Sequence, residues 1–358
     1  MTRLKPLLLI ALVSGLPIQL GNPATNFDVQ KLTDNIYAVI RKDPPGLMVD
    51  ANNVFIIKDE YVVVVDANGA PAITREVLAA LRRITNKPVR YVVNTHYHDD
   101  HIRGNQVYRD AFPGVEFVAH PFARDYLPNQ GAANRKAFLE GAPAFADQIR
   151  GLLKEGRNLG GGAISEEERV SLTNDVALAD VVLRNGASAE TVLPTVTVED
   201  RLTLPGKGPT VEIRHLGKGH TAADLVVWLP TERIVVTGDL VVWPVPLVGD
   251  PQSHIGAWSD TLKTISSLRP VTIVPGHGPV LTDDEYLRTL SAMFGSIRQQ
   301  AAAAVARGES IQQARKTINL DEFRDKLAGQ SAVRKLLFSN YVAQPAVAAA
   351  FREASASR

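Results

Sequence analysis

The sequence contains no cysteine at any of its 358 positions. Disulfide bonds are therefore excluded, and a bound metal ion would need nitrogen and oxygen ligands. A dominant charge is also missing, because 39 lysine and arginine residues balance 38 aspartate and glutamate residues to a net charge of +1. This balance gives no electrostatic reason to expect a nucleic acid or an anionic membrane surface as partner. The expected partner is a small-molecule substrate, and the sequence leaves the oligomeric state open.

Long apolar runs are scarce, and the one with flanking charges lies at the N-terminus. Arg3 and Lys5 precede an apolar stretch from Leu7 to Val13, which is the pattern of a secretory signal peptide. No small-x-small cleavage motif follows, so an uncleaved anchor or a misassigned start codon is the alternative to cleavage near Ala24. We predict a signal peptide over residues 1–24 and a periplasmic or secreted protein with no stable membrane partner.

Short apolar runs rich in valine and isoleucine predict buried strands. These runs are residues 53–58, 61–66, 89–93, 115–119, 195–198, 211–216, 224–229, 233–237 and 271–274. Helices are predicted after Pro71, where apolar residues have helical spacing, and over residues 144–153 and 258–268. Two capping boxes, Ser165 with Glu168 and Thr282 with Glu285, predict the starts of two more helices. The order predicts a two-sheet α/β domain over residues 25–285, with a helical insertion at about 120–190 and a C-terminal helical extension over 286–358.

The stretch from His96 to His101 holds three of the eight histidines and two aspartates. In an extended segment His96, His98 and Asp100 share one face, and His101 can turn to the same site if a helix begins there. These are more ligands than one tetrahedral metal with an open position requires. The cluster is therefore interpreted as the first half of a two-metal site.

Three later residues qualify for the other half, since each lies at the predicted end of an apolar strand in a glycine-bearing turn. They are His220 in GKGHTAAD, Asp239 in VVTGDLVV and His277 in VPGHGPV. Loops at strand ends are where a rigid scaffold usually presents ligands. The remaining histidines are interpreted as structural or solvent-facing, with His254 a weak candidate for the rim of the site.

The ordered motifs H-x-H-x-D-H, G-H-T, G-D and P-G-H-G resemble those of the metallo-β-lactamase fold superfamily over about residues 30–285. The resemblance implies an αββα sandwich with the metal site at one edge, between the two sheets. It implies two metal ions, with the ligands divided by position. His96, His98 and His220 would bind the first ion, Asp100, His101 and His277 would bind the second, and Asp239 would bridge them.

Zinc is the expected metal, two ions per chain, because imidazole and carboxylate suit it; another divalent metal is possible. Two such ions lower the pKa of a bridging water, so that hydroxide is available near neutral pH. Asp100 is the expected catalytic residue, orienting the hydroxide and carrying a proton to the leaving group. The predicted function is hydrolysis of a lactone, an ester, a thioester or a cyclic amide such as a β-lactam.

Other functions are weighed against this one. A mononuclear iron enzyme similar to persulfide dioxygenases is the main alternative, because that branch keeps much of the signature. Nuclease action is disfavoured by the balanced charge, and a non-catalytic metal-binding module by the complete ligand set. Two residues could touch the substrate: Arg103, which stands where the pattern usually has glycine, and Trp243, in an apolar run that either lines the cleft or packs in the core.

Overall fold

The computed structural model describes residues 22–186, 188–249 and 251–356. The predicted signal segment, residues 1–24, therefore lies outside the described residues except for its last three. Within the described ranges, no helix combines the length and apolar character needed to cross a membrane.

Strands form two sheets, as the sequence predicted. In the described part of the chain the first sheet has seven strands in sequence order: β1 (Phe27–Lys31), β2 (Ile36–Arg41), β3 (Asn53–Ile57), β4 (Val62–Val65), β5 (Val89–Val93), β6 (Glu116–Ala119) and β7 (Val196–Thr197). The second has five strands ordered β12-β11-β10-β9-β8, which are β8 (Arg201–Thr203), β9 (Glu212–Arg214), β10 (Val226–Leu229), β11 (Ile234–Val242) and β12 (Thr272–His277). β3 and β4 pair antiparallel, whereas β4, β5, β6 and β7 run parallel.

The four valines of β4 explain why the sheets stack face to face. All four are buried, but successive side chains of a strand point to opposite faces. Val63 and Val65 belong to the apolar core between the sheets, which also contains Val227 of β10. Val62 and Val64 face the helices on the outer side of the first sheet. Each buried valine contributes on the order of 1.5–3 kcal/mol to folding, so both layers are needed to cover this strand.

Helices cover both outer faces. The described helices are α1 (Pro71–Ile84), α2 (Asp99–Ile102), α3 (Asn105–Ala111), α4 (Pro121–Tyr126), α5 (Ala132–Glu155), α6 (Glu166–Gly186), α7 (Ile255–Ser267), α8 (Glu285–Ala306), α9 (Ile311–Thr317), α10 (Asp321–Ala328), α11 (Ala332–Phe338) and α12 (Gln344–Ala356). Helices α1 and α6 pack on the first sheet. Helices α7, α8 and α12 pack on the second sheet. The result is the αββα sandwich expected from the motifs, with a helical insertion and C-terminal helices.

The two predicted capping boxes have different outcomes. At the start of α6 the Ser165 hydroxyl accepts from the Glu168 amide while the Glu168 carboxylate accepts from the Ser165 amide, so that box is confirmed. The box at Thr282 is wrong. Helix α8 begins one residue after Asp284, and the Glu285 amide donates to the carboxylate of Asp283. An aspartate close to the helix start therefore takes the place of the threonine.

Candidate metal centre

The seven predicted ligands come from four places along one edge of the sandwich. The segment after β5 carries His96 and His98 and then turns into α2, which presents Asp100 and His101. His220 lies in the loop between β9 and β10, and His277 is the last residue of β12. The structure thus brings together side chains that are up to 181 positions apart in the sequence, from His96 to His277.

Asp239 lies within β11 and not at its end, which corrects the sequence interpretation. The pairing of β11 with β12 shifts register around Gly238. That glycine has a positive φ of 52°, and a Cβ at Gly276 would collide with the Asp239 carboxylate. The irregularity turns the Asp239 side chain toward the other ligands, and the glycines before Asp239 and His277 provide the room.

Four donor atoms form a first set. His98 Nδ1 lies 3.0 Å from His96 Nε2 and 2.9 Å from His220 Nε2. Asp239 Oδ2 lies 3.5 Å from His220 Nε2 and 4.0 Å from His96 Nε2. The set combines three imidazole nitrogens with one carboxylate oxygen.

The other oxygen of Asp239 belongs to a second set of four. Asp239 Oδ1 lies 3.2 Å from His101 Nε2 and 3.3 Å from His277 Nε2. Asp100 Oδ2 lies 3.4 Å from His101 Nε2 and 3.1 Å from His277 Nε2. Asp239 is therefore shared between the two sets, one oxygen in each, which is the position that a bridging carboxylate requires.

The spacing of both sets suits a small divalent cation. Zinc bonds of about 2.0–2.1 Å to a tetrahedron of donors place those donors about 3.4 Å apart, and the distances above scatter around that value. Three buried donor atoms have no hydrogen-bond partner, all in the second set: His101 Nε2, Asp239 Oδ1 and His277 Nε2. Buried polar atoms without partners are costly, and a cation between them would remove that cost. The residues therefore fit two metal ions.

Each histidine is held by its second ring nitrogen. The acceptors are Thr95 Oγ1 for His96 (3.2 Å), Gln252 Oε1 for His98 (2.7 Å), Asp66 Oδ2 for His101 (2.8 Å), and the backbone carbonyls of Leu247 for His220 (2.7 Å) and Asp50 for His277 (3.0 Å). Because the outer nitrogen donates its proton to these oxygens, the inner nitrogen presents a lone pair to the centre. His98 consequently faces the centre with Nδ1 and the other four with Nε2.

Asp66 fixes two of the ligand positions at once. Its Oδ2 accepts from His101 Nδ1 and from the Thr95 hydroxyl at 2.9 Å, and its Oδ1 accepts from the Thr95 amide at 2.8 Å. The Thr95 oxygen in turn accepts from His96. Asp66 therefore fixes the loop that carries these ligands.

The two sets differ in electrostatics. Burial lowers the pKa of His220 to about 3 and that of His96 well below its ordinary value. Burial would also lower the pKa of His277, but Asp239 and Asp100 outweigh it and raise that pKa to about 10. Against the effect of burial, His277 and His101 hold the pKa of Asp239 well below its usual range. A divalent ion that binds in the second set therefore displaces protons from its histidines.

Two cavities flank the centre. One, of about 260 Å³, opens beside Asp100, and the other, of about 220 Å³, opens beside His98. Asp99, Arg135 and Phe138 line both cavities. Since Arg135 and Phe138 belong to α5, the helical insertion forms one wall of the cleft. Sequence reasoning missed these two residues, because nothing in their local pattern distinguishes them from an exposed helix surface.

The two residues suggested as substrate contacts have different surroundings. Arg103 is buried, donates to Thr191 Oγ1 at 2.7 Å and pairs with Asp99. It lines the cavity beside Asp100. Trp243 lies under the guanidinium of Arg334, 4.7 Å from its ring centre, and lines neither cavity.

The apolar run around Trp243 packs in the core and does not line the two cavities. Leu240, Val241 and Val245 belong to the core between the second sheet and its helices. Outside the seven, His215 donates to the Asp224 carbonyl at 2.8 Å. The rings of His120 and His215 are in tilted contact, with centres 4.7 Å apart. These contacts are structural, as expected. His254 lies at the start of α7.

Residues 47–277, well over half of the chain, match the family model described as the metallo-beta-lactamase superfamily. The chain is 23% identical over 275 residues to a linear primary-alkylsulfatase of Pseudomonas sp., covering 75% of this chain and 48% of that protein. It is 40% identical over 81 residues to a hydroxyacylglutathione hydrolase of Gloeobacter violaceus, covering 21% of this chain and 32% of that protein. The chain thus spans half or less of the length of these relatives.

A solved structure shows a similar fold. The metallo-beta-lactamase from Pontibacter korlensis aligns with a TM-score of 0.51 at 19% identity, covering 74% of this chain and 97% of that chain. At this identity the likeness concerns the arrangement of strands and helices.

Proposed function

The chain belongs to the metallo-β-lactamase superfamily, and from that premise we propose that it is a hydrolase with two zinc ions that cleaves an activated or strained acyl bond. The substrate would be a lactone, ester, thioester or cyclic amide such as a β-lactam. One observation carries the proposal. Two four-atom donor sets share Asp239, with one of its oxygens in each.

Ions bound at these sets would acidify a water molecule and polarise the bond to be cleaved. The chain itself supplies fixed donors, because each histidine is anchored by its second nitrogen. Five of the seven donor residues are buried, whereas His98 and Asp100 are partly exposed. The substrate therefore reaches the centre past these two side chains.

Asp100 is placed to handle the proton. Its side chain is 23% exposed, toward the cavity where a substrate would lie. Burial would raise the pKa of Asp100, but His101 and His277 hold it well below its usual range. An ionised carboxylate accepts a hydrogen bond from water and so fixes the direction of its attack.

Hydrolysis of a sulfate ester is a second candidate. The observation that favours it is the extent of the match to the linear primary-alkylsulfatase, which spans 275 residues of this chain. The match to the hydroxyacylglutathione hydrolase is closer but spans 81 residues. The chemistry required is similar, since in each case water attacks an electrophilic centre and displaces a leaving group.

The test combines metal analysis with parallel assays. Protein loaded with zinc would be assayed on a chromogenic cephalosporin, an acyl lactone, a glutathione thioester and a primary alkyl sulfate. Turnover of one of the first three supports the main proposal, and turnover of the alkyl sulfate alone supports the second candidate. No turnover by a protein that holds two zinc ions would sink both, and one iron per chain would favour the dioxygenase alternative.

We also propose that the protein is exported to the periplasm or beyond, on the strength of the charged and apolar N-terminal segment. Mass spectrometry of the protein purified from its native host would measure the N-terminus. A mature chain that begins near residue 25 is expected. An intact Met1 on protein found in the cytoplasm would contradict the proposal.

A further inference from the structure

We propose that the cavity beside Asp100 binds an apolar arm of the substrate and that Arg135 pairs with an acidic group on that substrate. The inference rests on the proposed function, since it assigns a substrate class to the same centre. That class is an amphiphilic anion. The observations that carry it are the lining of the cavity, the charges at its rim and its position.

Two groups of apolar residues line the cavity. Leu47, Met48 and Val49 contribute from the segment that joins β2 to β3, and Phe138, Leu139 and Val182 contribute from α5 and α6. Phe138 is 40% exposed, although a large aromatic side chain gains by burial. A bound apolar group would cover it.

Two arginines and two carboxylates line the cavity, but neither carboxylate pairs with Arg135. Asp99 pairs with Arg103, and Asp100 faces the metal centre. Arg135 donates to the carbonyls of Gly186 and Ala189, at 2.6 and 2.9 Å. Within the described ranges, no carboxylate oxygen lies within ion-pair distance of Arg135.

Two further observations point to an anion. Burial and the repulsion of Arg103 lower the pKa of Arg135, with Asp99 opposing, so its charge lacks full compensation. Arg103 Nε is buried without a partner. A guanidinium pairs well with a carboxylate, sulfonate or similar group, in part because its donors form a planar fork.

The size and position of the cavity make it part of a substrate site. Its volume of about 260 Å³ falls just below the roughly 300–1,000 Å³ of complete small-molecule sites. Because Asp100 lines it, a group bound here lies next to the metal centre. The remainder of the substrate would extend toward the cavity beside His98.

The experiment measures binding without turnover. Metal-loaded protein would be titrated by calorimetry with 1-octanesulfonate, ethanesulfonate and 1-octanol. We expect 1-octanesulfonate to bind more tightly than either of the others. Arg135→Gln should weaken 1-octanesulfonate about tenfold or more and leave 1-octanol unchanged, while Arg135→Lys recovers part of the loss. Phe138→Ser should weaken both eight-carbon ligands.

Matched controls separate the site from general effects. Lys136→Gln removes the same charge from the neighbouring position, where the side chain is 78% exposed, and should change nothing. Leu193→Ser removes an apolar side chain that is 41% exposed, outside the cavity lining, and should also be silent. Equal affinities for the two sulfonates, or no effect of Arg135→Gln, would overturn the inference.

A repeat after removal of the metals identifies binding at the ions themselves. If the sulfonate binds only to loaded protein and Arg135→Gln has no effect, the anion binds the metals and the inference is wrong. The expected binding pattern without turnover of any substrate would defeat the hydrolase proposal and leave the cavity assignment standing. Turnover that no cavity variant alters would support the hydrolase proposal and defeat the cavity assignment.

Discussion

The two walls of the cleft are built differently. On the sandwich side, five of the seven donor residues are buried, and every histidine is fixed by a hydrogen bond to its second nitrogen. On the insertion side, Phe138 is 40% exposed and Arg135 is half-buried, held by two backbone carbonyls. The proposed hydrolysis therefore depends on the buried wall, and the proposed choice of substrate depends on the exposed wall.

The largest effect is expected from Asp239→Asn, which changes the residue of the buried wall that both donor sets share. An amide offers one oxygen where two donor sets each need one. Activity should fall by more than about 100-fold, the upper end for loss of a group that only orients a ligand. Metal content should fall with it. Asp110→Asn, at a carboxylate that is 62% exposed, is the control and should retain both, and full activity in Asp239→Asn would refute the assignment.

A smaller loss of activity is expected from Asp66→Asn, which removes the carboxylate that holds His101 and Thr95 in the same wall. The new amide would place a donor against the Thr95 hydroxyl and His101 Nδ1, which both donate to Asp66 now. Residue 66 has a φ of 60°, and asparagine tolerates that conformation, so the backbone should be kept. We expect a loss of roughly 10–100-fold in metal affinity or activity, measured by chelator competition. Unchanged affinity would show that the ligands hold their positions without Asp66.

Asp175 of α6 joins the insertion to the apolar segment that lines the cavity. Its Oδ1 accepts from the Met48 amide at 2.9 Å, and burial raises its pKa to about 6. Since the unfolded value is lower, about 3.9, the folded state holds the proton more tightly. The stabilisation is fully present below about pH 3.9 and is lost as the pH rises through 6.

Asp175→Asn therefore removes a pH dependence on the order of 2–3 kcal/mol between pH 4 and 7. Urea unfolding at pH 4.5 and pH 7 measures it in both proteins. The stability of the variant relative to the parent should rise between these pH values, because the parent alone loses the contribution of a protonated carboxyl group. Parallel profiles for the two proteins would mean that the carboxyl is not titrating in this range.

The smallest effect is expected when Phe138 of the exposed wall is changed and the free energy of unfolding is measured. Phe138→Ala should change the free energy of unfolding by no more than about 0.5 kcal/mol, as for most surface positions. Phe117→Ala in β6 is the buried reference, at 2% exposed, and should cost several times more. A loss at Phe138 as large as that at Phe117 would mean that α5 is part of the core and would remove the contrast between the walls.

Part of the sandwich is readable from the sequence, because strands such as β3, β4 and β5 are largely buried. The runs at β3, β4 and β5 consist mainly of valine and isoleucine. Their predicted bounds differ from the observed ones by at most one residue. Strand β1 was not predicted, since four of its five residues are exposed and give no apolar pattern. Strand β2 was also not predicted, although five of its six residues are buried. Helix α5 was predicted from residue 144, yet begins at Ala132, because the half that faces the cleft has few buried residues.

The candidate site also has one part that the sequence predicts and one part that it does not. The seven ligands could be proposed from the sequence because histidines and aspartates recur in short glycine-bearing motifs. The partners that hold them follow no such motif: Gln252 reaches His98 from 154 positions away, and Leu247 contributes a backbone carbonyl. Arg135 looks like any arginine on a helix until the fold places it beside Asp99 and Arg103. These contacts depend on tertiary packing, and local sequence patterns therefore do not predict them.

The metal content of three purified proteins tests the central claim, that two donor sets share Asp239. After zinc loading and removal of free metal, elemental analysis should find two ions per chain in the parent protein and one in His277→Ala, which loses a donor from the second set alone. Asp239→Ala should hold fewer than one, because it loses a donor from both. One ion in both the parent and His277→Ala would contradict the account.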